Sequence, residues 1–234
     1  MFTLFHGDKG GIGKSMCCNC YVDALLWHPD KLPPTALRTE VLLVDADTRN
    51  PDVGRVYRDY LPVEYIDLKQ HDGWMHLLDL LEQDQDREIV VSLPAGIGQY
   101  LEKEADLLTE ALQTLGHKLV VYWPINRLKD SVILLREFMA TPLMKQAWHV
   151  NVIMNGFFGE KDKFNRWLDS KTRADFLMHF GAAESYLPEL HHRVIDAVTG
   201  PFSQATDLKY SVQIELERWI KTNYDLFFNQ RSLI

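Results

Sequence analysis

Lys9, Lys14 and Ser15 stand in one run, Lys9-Gly10-Gly11-Ile12-Gly13-Lys14-Ser15, whose residue types and spacing suit the binding of phosphate. Three glycines let the backbone curl until consecutive N–H groups point inward, and a helix beginning just after them adds the partial positive charge of its N-terminus. Lys14 would then reach the β- and γ-phosphates of a nucleotide, with the Ser15 hydroxyl on a magnesium ion. A second chemical group follows the apolar run Val41-Leu42-Leu43-Val44, which ends in Asp45-Ala46-Asp47. Carboxylates at the carboxyl end of a strand beside a phosphate loop are placed for a metal ion and an attacking water. The alternative is a loop whose aspartates cap the next helix.

These groups need strands and helices to hold them. Met1 to Phe5 is apolar and reads as a strand leading into the loop, and a helix runs from Ser15 to Trp27. His28 to Thr39, with Pro29, Pro33 and Pro34, reads as a loop. Val41 to Val44, apolar on both faces, has the character of a central parallel strand. Further strands are predicted at Val63 to Leu68, Glu88 to Leu93, Lys118 to Trp123 and Trp148 to Met154. Helices are predicted at His71 to Gln83, with Trp74, Leu77, Leu78 and Leu81 on one side, at Tyr100 to Leu115 with Gly116 as its stop, and at Lys129 to Met139. Lys129-Asp130-Ser131 offers N-cap chemistry to the last of these. Lys209 to Phe228 reads as a helix packed on the domain through Val212, Leu216, Trp219 and Ile220. Such alternation makes an α/β fold, doubly wound, with a mostly parallel sheet and helices on both faces.

With 234 residues, 46% of them hydrophobic, residues 1–234 are expected to form a single domain with an ample core. A net charge of −8 argues against whole-surface attraction to DNA or anionic lipid and leaves DNA contact to a local basic patch. Apolar runs are too short for a signal peptide or a bilayer span, so a cytoplasmic protein without a membrane anchor is expected. Cys17, Cys18 and Cys20 point in different directions on one helix and read as small buried residues rather than metal ligands.

The strict pattern G-x-x-x-x-G-K-[ST] fails here because Asp8 occupies its first glycine position. K-G-G-x-G-K-[ST] fits, and with it the chain resembles the deviant Walker A P-loop ATPases of the ParA/MinD type. In that family the extra lysine, here Lys9, crosses a dimer interface to the phosphates bound by the partner. The resemblance therefore implies ATP with Mg2+, a homodimer with ATP sandwiched between its chains, and a catalytic set of Lys9, Lys14 and Asp47. It places Asp45 with Ser15 near the metal and the backbone of Gly10 to Met16 around the phosphates. Pro94-Ala95-Gly96-Ile97 matches the family's second switch, but Ser92 stands where the Walker B aspartate is usual, and Met16 replaces a second hydroxyl. Asn155, at a strand end, is the candidate adenine contact, with a turn residue in Asn155-Gly156 as the equal alternative. Ser185 to Leu190 resembles the late loop beside the base, and Pro188 is its candidate neighbour. The iron protein of nitrogenase shares the loop but needs cluster cysteines this chain lacks.

Without a preceding DNA-binding helix-turn-helix, the chain resembles the short ParA form, which serves plasmid partition and conjugative transfer or mobilisation. Three functions follow: a dimeric ATPase switch read by a protein partner, a pseudo-ATPase scaffold recruiting a DNA-processing partner, and a ligase of the dethiobiotin-synthetase type. Glu160 to Met178 mixes Lys161, Lys163, Arg166, Lys171 and Arg173 with Phe164 and Trp167. It reads as an amphipathic helix with its aromatics in the core rather than as a nucleic-acid platform. His191 and His192 are given surface or capping roles.

Overall fold

The structure is a computed structural model and describes residues 1–27, 40–179 and 183–228. The loop expected at His28 to Thr39 lies outside the described residues.

Seven strands form one sheet: β1 (Phe2–Phe5), β2 (Val41–Asp45), β3 (Val63–Tyr65), β4 (Glu88–Ser92), β5 (Leu119–Ile125), β6 (His149–Asn155) and β7 (Ala183–Leu187). They lie in the order β3-β2-β4-β1-β5-β6-β7, and every pair is parallel. β1 sits in the middle because its two flanks, β4 and β5, each take one edge of a strand buried at all four positions. Parallel neighbours put all carboxyl ends on one side of the sheet, where the loops carrying charge emerge.

Both faces are covered, as a strand apolar on both sides requires. Phe2, Leu4, Leu42, Val44, Ile89 and Val91 face a core closed by the helices His71–Gln83, Ala105–Thr114 and Lys129–Met139. Phe5, Leu43, Val90, Tyr122 and Ile153 face the opposite core, closed by α1 (Lys14–Trp27) and the helix Tyr210–Asn223. α1 is buried nearly all round, from Cys17 and Cys18 to Leu25 and Leu26, because helices pack on its outer side as well. Its three thiols are buried, and burial pushes the Cys17 thiol up to about 12, so they fill space as small apolar groups.

The structure corrects several predicted elements. The stretch expected as one helix from Tyr100 to Leu115 is two, Gly98–Lys103 and Ala105–Thr114, separated at Glu104. The strand expected at Val63 to Leu68 stops at Tyr65, since Asp67 and Gln70 turn the chain into the next helix. Ser185 to Leu187, expected in a loop, belongs to β7. The strand expected at Lys118 to Trp123 continues through Pro124 and Ile125. The segment Glu160 to Met178 is broken into short helices, Asn165–Leu168 and Lys171–His179, yet Phe164, Trp167 and Phe176 are all core. The C-terminal stretch is divided into Tyr210–Asn223 and Asp225–Phe228, with Val212, Leu216 and Trp219 turned inward. Among the described residues no helix is long and apolar enough to cross a membrane.

Candidate functional site

The phosphate loop leaves β1 at the centre of the sheet. Gly7, Gly11 and Gly13 take positive φ values of 149°, 70° and 95°, which a side chain would oppose. At Gly13 a second constraint applies: a Cβ there would lie 2.1 Å from the Asn155 amide nitrogen. Lys14, only 7% exposed, folds back over the loop and donates to the Gly7 and Lys9 carbonyls, each at 2.9 Å. Burial lowers its pKa to about 8, against the opposing pull of the Asp8 and Asp47 carboxylates. Lys9 turns the other way and pairs with Asp130 at 2.7 Å.

The acids stand on neighbouring strands. Asp45 ends β2, is buried, and lies in register with Ser92 at the end of β4. Its carboxylate accepts from the Asp47 N–H at 3.1 Å and the Gly54 N–H at 2.8 Å, so it also fastens the start of the helix Asp52–Tyr57. Burial holds its pKa above the usual carboxylate range. Asp47 is half-buried, faces Lys14 electrostatically, and accepts from Asn50 N–H at 3.2 Å. Ser15 is half-buried at the start of α1. The loop, Ser15 and the two acids thus meet at one end of β1, β2 and β4.

On the far side of the loop, Gly11, Gly13, Met16, Asn155, Leu187 and Pro188 line a mostly apolar pocket of about 200 Å³. Glu189 and Leu190, within the late loop read from the sequence, also line it, as do Phe157 and Ile195, which carry no motif. Asn155 braces the pocket floor: its Nδ2 donates to the Ile12 carbonyl at 2.9 Å, and its Oδ1 accepts from Phe157 N–H at 3.1 Å. The side chain is therefore both the turn residue of the 3-10 turn Gly156–Phe158 and a pocket wall. The Pro188 carbonyl accepts from the Trp219 indole at 2.9 Å, which fixes the opposite wall.

Asp8 was read only as a departure from the strict pattern, yet it carries a contact of its own. Its Oδ1 accepts from Gly98 N–H at 2.7 Å and its carbonyl from Gly96 N–H at 3.0 Å, tying the loop to the segment after Pro94. A glycine could not make the first of these bonds. The N-cap chemistry expected of Lys129-Asp130-Ser131 is corrected: Leu128 is the N-cap residue and makes no side-chain cap bond. Asn126 takes the local role instead, accepting from Leu128 N–H and from the Ser131 hydroxyl. His191 caps the helix His192–Ala197 through its own Nδ1.

An anion cradle of positive-φ glycines fits a nucleotide triphosphate, and the apolar pocket fits a base. The donor set fits magnesium only in company with phosphate oxygens, since among the described residues no three His, Cys, Asp or Glu side chains converge as a metal cage. A phosphate loop at the end of the central strand of an all-parallel doubly wound sheet gives the protein the architecture of the P-loop nucleotide-binding class.

No protein-family model matches the chain. It is 33% identical over 221 residues to Protein MobD of Acidithiobacillus ferrooxidans, covering 92% of this chain and 91% of that protein. At that identity and coverage the chain belongs to the same family as Protein MobD. Among solved structures it is similar to the MinD cell division protein of Aquifex aeolicus, with 17% identity, 94% and 96% of the two chains covered and a TM-score of 0.48. It is also similar to pNOB8 ParA bound to nonspecific DNA, with 12% identity, 95% and 99% covered and a TM-score of 0.41.

Proposed function

We propose that the protein is an ATP-dependent dimeric switch that helps partition or transfer DNA, or positions another cargo, in the cytoplasm. The observation that carries this reading is the deviant loop itself: two lysines flank it, Lys14 folded onto its own carbonyls and Lys9 turned outward to Asp130. Phosphates entering the loop would replace the Gly7 and Lys9 carbonyls as partners of Lys14. Lys9, held only by an exposed acid, is free to exchange Asp130 for the phosphates of a second copy. Gly10 to Met16 would hold the triphosphate, with the adenine between Asn155 and Pro188. Ser15 and, through water, Asp45 would hold Mg2+, which supplies charge neutralisation at the phosphates. Asp47 would orient the attacking water.

The DNA arm of this reading rests on a groove where Arg127 and Lys129 meet Lys163 and Arg166, a local excess of positive charge on a chain of net −8. A protein partner that reads the dimer completes the proposal. The second reading, a nucleotide-held scaffold without turnover, is favoured by one observation: the neighbour of Asp45 on β4 is the neutral Ser92. A ligase of the dethiobiotin-synthetase type would instead react without Lys9.

Phosphate release with ATP and Mg2+, with and without DNA, decides among them when run beside Lys9→Ala, Lys14→Ala and Asp47→Ala and paired with mass in solution. The switch requires turnover lost in the Lys14 and Asp47 variants and an ATP-dependent dimer lost in the Lys9 variant. Tight ATP binding with no turnover would leave the scaffold.

A further inference from the structure

A second hollow, of about 280 Å³, opens beside the first turn of the phosphate loop and shares no residue with the base pocket. Its floor is made of His6 and Trp123, each 1% exposed and packed edge to face with ring centroids 4.7 Å apart. Phe138 closes the wall, 4.7 Å from His6 and stacked 5.1 Å from Trp123. His6 Nδ1 and Trp123 Nε1 are both buried without a hydrogen-bond partner. Two orphaned polar atoms at one floor are costly unless something fills the space above them.

Three carboxylates, Asp8, Glu102 and Glu137, surround the same hollow. Asp8 is partly engaged by Gly98 N–H, whereas Glu102 and Glu137 make no ion pair or side-chain hydrogen bond among the described residues. His6 adds no positive charge to offset them, because burial, and then Lys14, lowers its pKa to about 3. The hollow is therefore negative at its mouth, hydrogen-bonding at its floor and apolar on the Phe138 and Leu134 side. No group of three His, Cys, Asp or Glu among the described residues is arranged to hold a metal ion, so a bare metal is a poor match.

We infer that this hollow binds an organic cation, an ammonium or guanidinium group carried on a short alkyl stem with an oxygen acceptor nearby. The cation would lie among Asp8, Glu102 and Glu137, the stem along Phe138 and Leu134, and the oxygen on the Trp123 N–H. His6 Nδ1 serves as donor or acceptor according to its tautomer. A free small molecule and a lysine or arginine side chain of a partner protein present the same chemistry. Asp8 also fastens Gly98, so the site abuts the link between the phosphate loop and the segment that follows Pro94. Nothing in this assignment depends on ATP turnover.

Titration calorimetry of the full chain without nucleotide tests it, with Nα-acetyl-L-argininamide, its neutral isostere Nα-acetyl-L-citrullinamide, and an N-acetylated Gly-Arg-Gly amide peptide as probes. Argininamide is expected to bind on the order of tenfold tighter than citrullinamide, and the Glu102→Gln/Glu137→Gln variant to lose about tenfold in argininamide affinity, as two partly exposed charge pairs would. Trp123→Phe, which keeps an aromatic ring but removes the N–H and part of the bicycle, should weaken argininamide by several-fold, with a lowered melting temperature but an unchanged circular dichroism spectrum at the titration temperature. A tighter peptide assigns the cation to a partner segment, and binding of argininamide without the peptide assigns it to a free molecule. Equal binding of argininamide and citrullinamide, an unchanged affinity in the double carboxamide variant, or no heat with any cationic probe overturns the assignment.

Discussion

Under the proposed function, Lys14 is the residue whose chemistry would change most on binding a nucleotide. Without a ligand it is buried against two carbonyls, and that burial lowers its pKa to about 8. Because the folded value lies below the unfolded one, the charged form is disfavoured by folding, and Lys14 adds stability as pH rises from about 8 towards about 10.5. A triphosphate reverses this preference by favouring the ammonium. At about pH 8.5, ATP binding is expected to take up protons, seen as a buffer-dependent heat in calorimetry, and Lys14→Ala should abolish that uptake.

Asp23 makes the opposite case on the same helix. Burial pushes its carboxyl up to about 7, although the Ser203 hydroxyl donates to it at 2.6 Å and Tyr57 and Tyr224 also donate. A carboxyl that holds its proton longer folded than unfolded gives stability that declines as pH rises from about 4 to about 7. Asp23→Asn should flatten that slope in urea titrations. Asp23→Ala, which strands the buried donors, should cost about 3 kcal/mol near pH 4 and progressively less as the pH approaches 7.

At the scale of elements, β6 and β7 hold the apolar pocket together through a glycine. A Cβ on Gly156 would lie 2.7 Å from the Leu187 carbonyl and 2.8 Å from the Glu189 N–H, both backbone atoms of the strand end opposite. Gly156→Ala should force the two strand ends apart, lower stability by about 2 kcal/mol as overpacking does, and weaken a fluorescent ATP analogue. Thermal melts and fluorescence titration check the two effects together.

Elements with strong periodicity were legible from residues alone. His71–Gln83 and Lys129–Met139 have the bounds that their apolar spacing predicts, and the central strands follow their continuous apolar runs. β7 was not legible, because Ala183-Glu184-Ser185-Tyr186-Leu187 carries a charge and a hydroxyl in mid-strand. The fold explains the charge: among the described residues β7 pairs only with β6, and Glu184 reaches Arg173 at 2.7 Å and the Trp167 indole at 3.2 Å. In the candidate site, Lys9, Lys14 and Ser15 stood out because they interrupt a glycine run, and Asp45 and Asp47 because charge follows directly on a buried apolar strand. The Asp8 to Gly98 bond and the apolar walls were not, since they join residues whose separation in sequence carries no periodic signal.

For the molecule as a whole, protection is graded across the sheet. β1 has a partner strand on each edge and helices on both faces, whereas β3 is three residues long at the margin and partly exposed. Amide exchange should therefore be slowest in β1, β4 and β5, and fastest among the strands in β3. Equal protection of β3 and β1 would contradict this arrangement.

The bonds of Asp23 also bear on how the protein is made. Its partners Ser203 and Tyr224 lie 180 and 201 residues further along the chain. On a ribosome every strand of the sheet has been synthesised before the helix behind the phosphate loop receives these contacts. Until then α1 lacks the bonds that tie Asp23 to Ser203 and Tyr224. Full fastening of α1, and of the loop it continues, is therefore expected only once residues 203–224 have emerged.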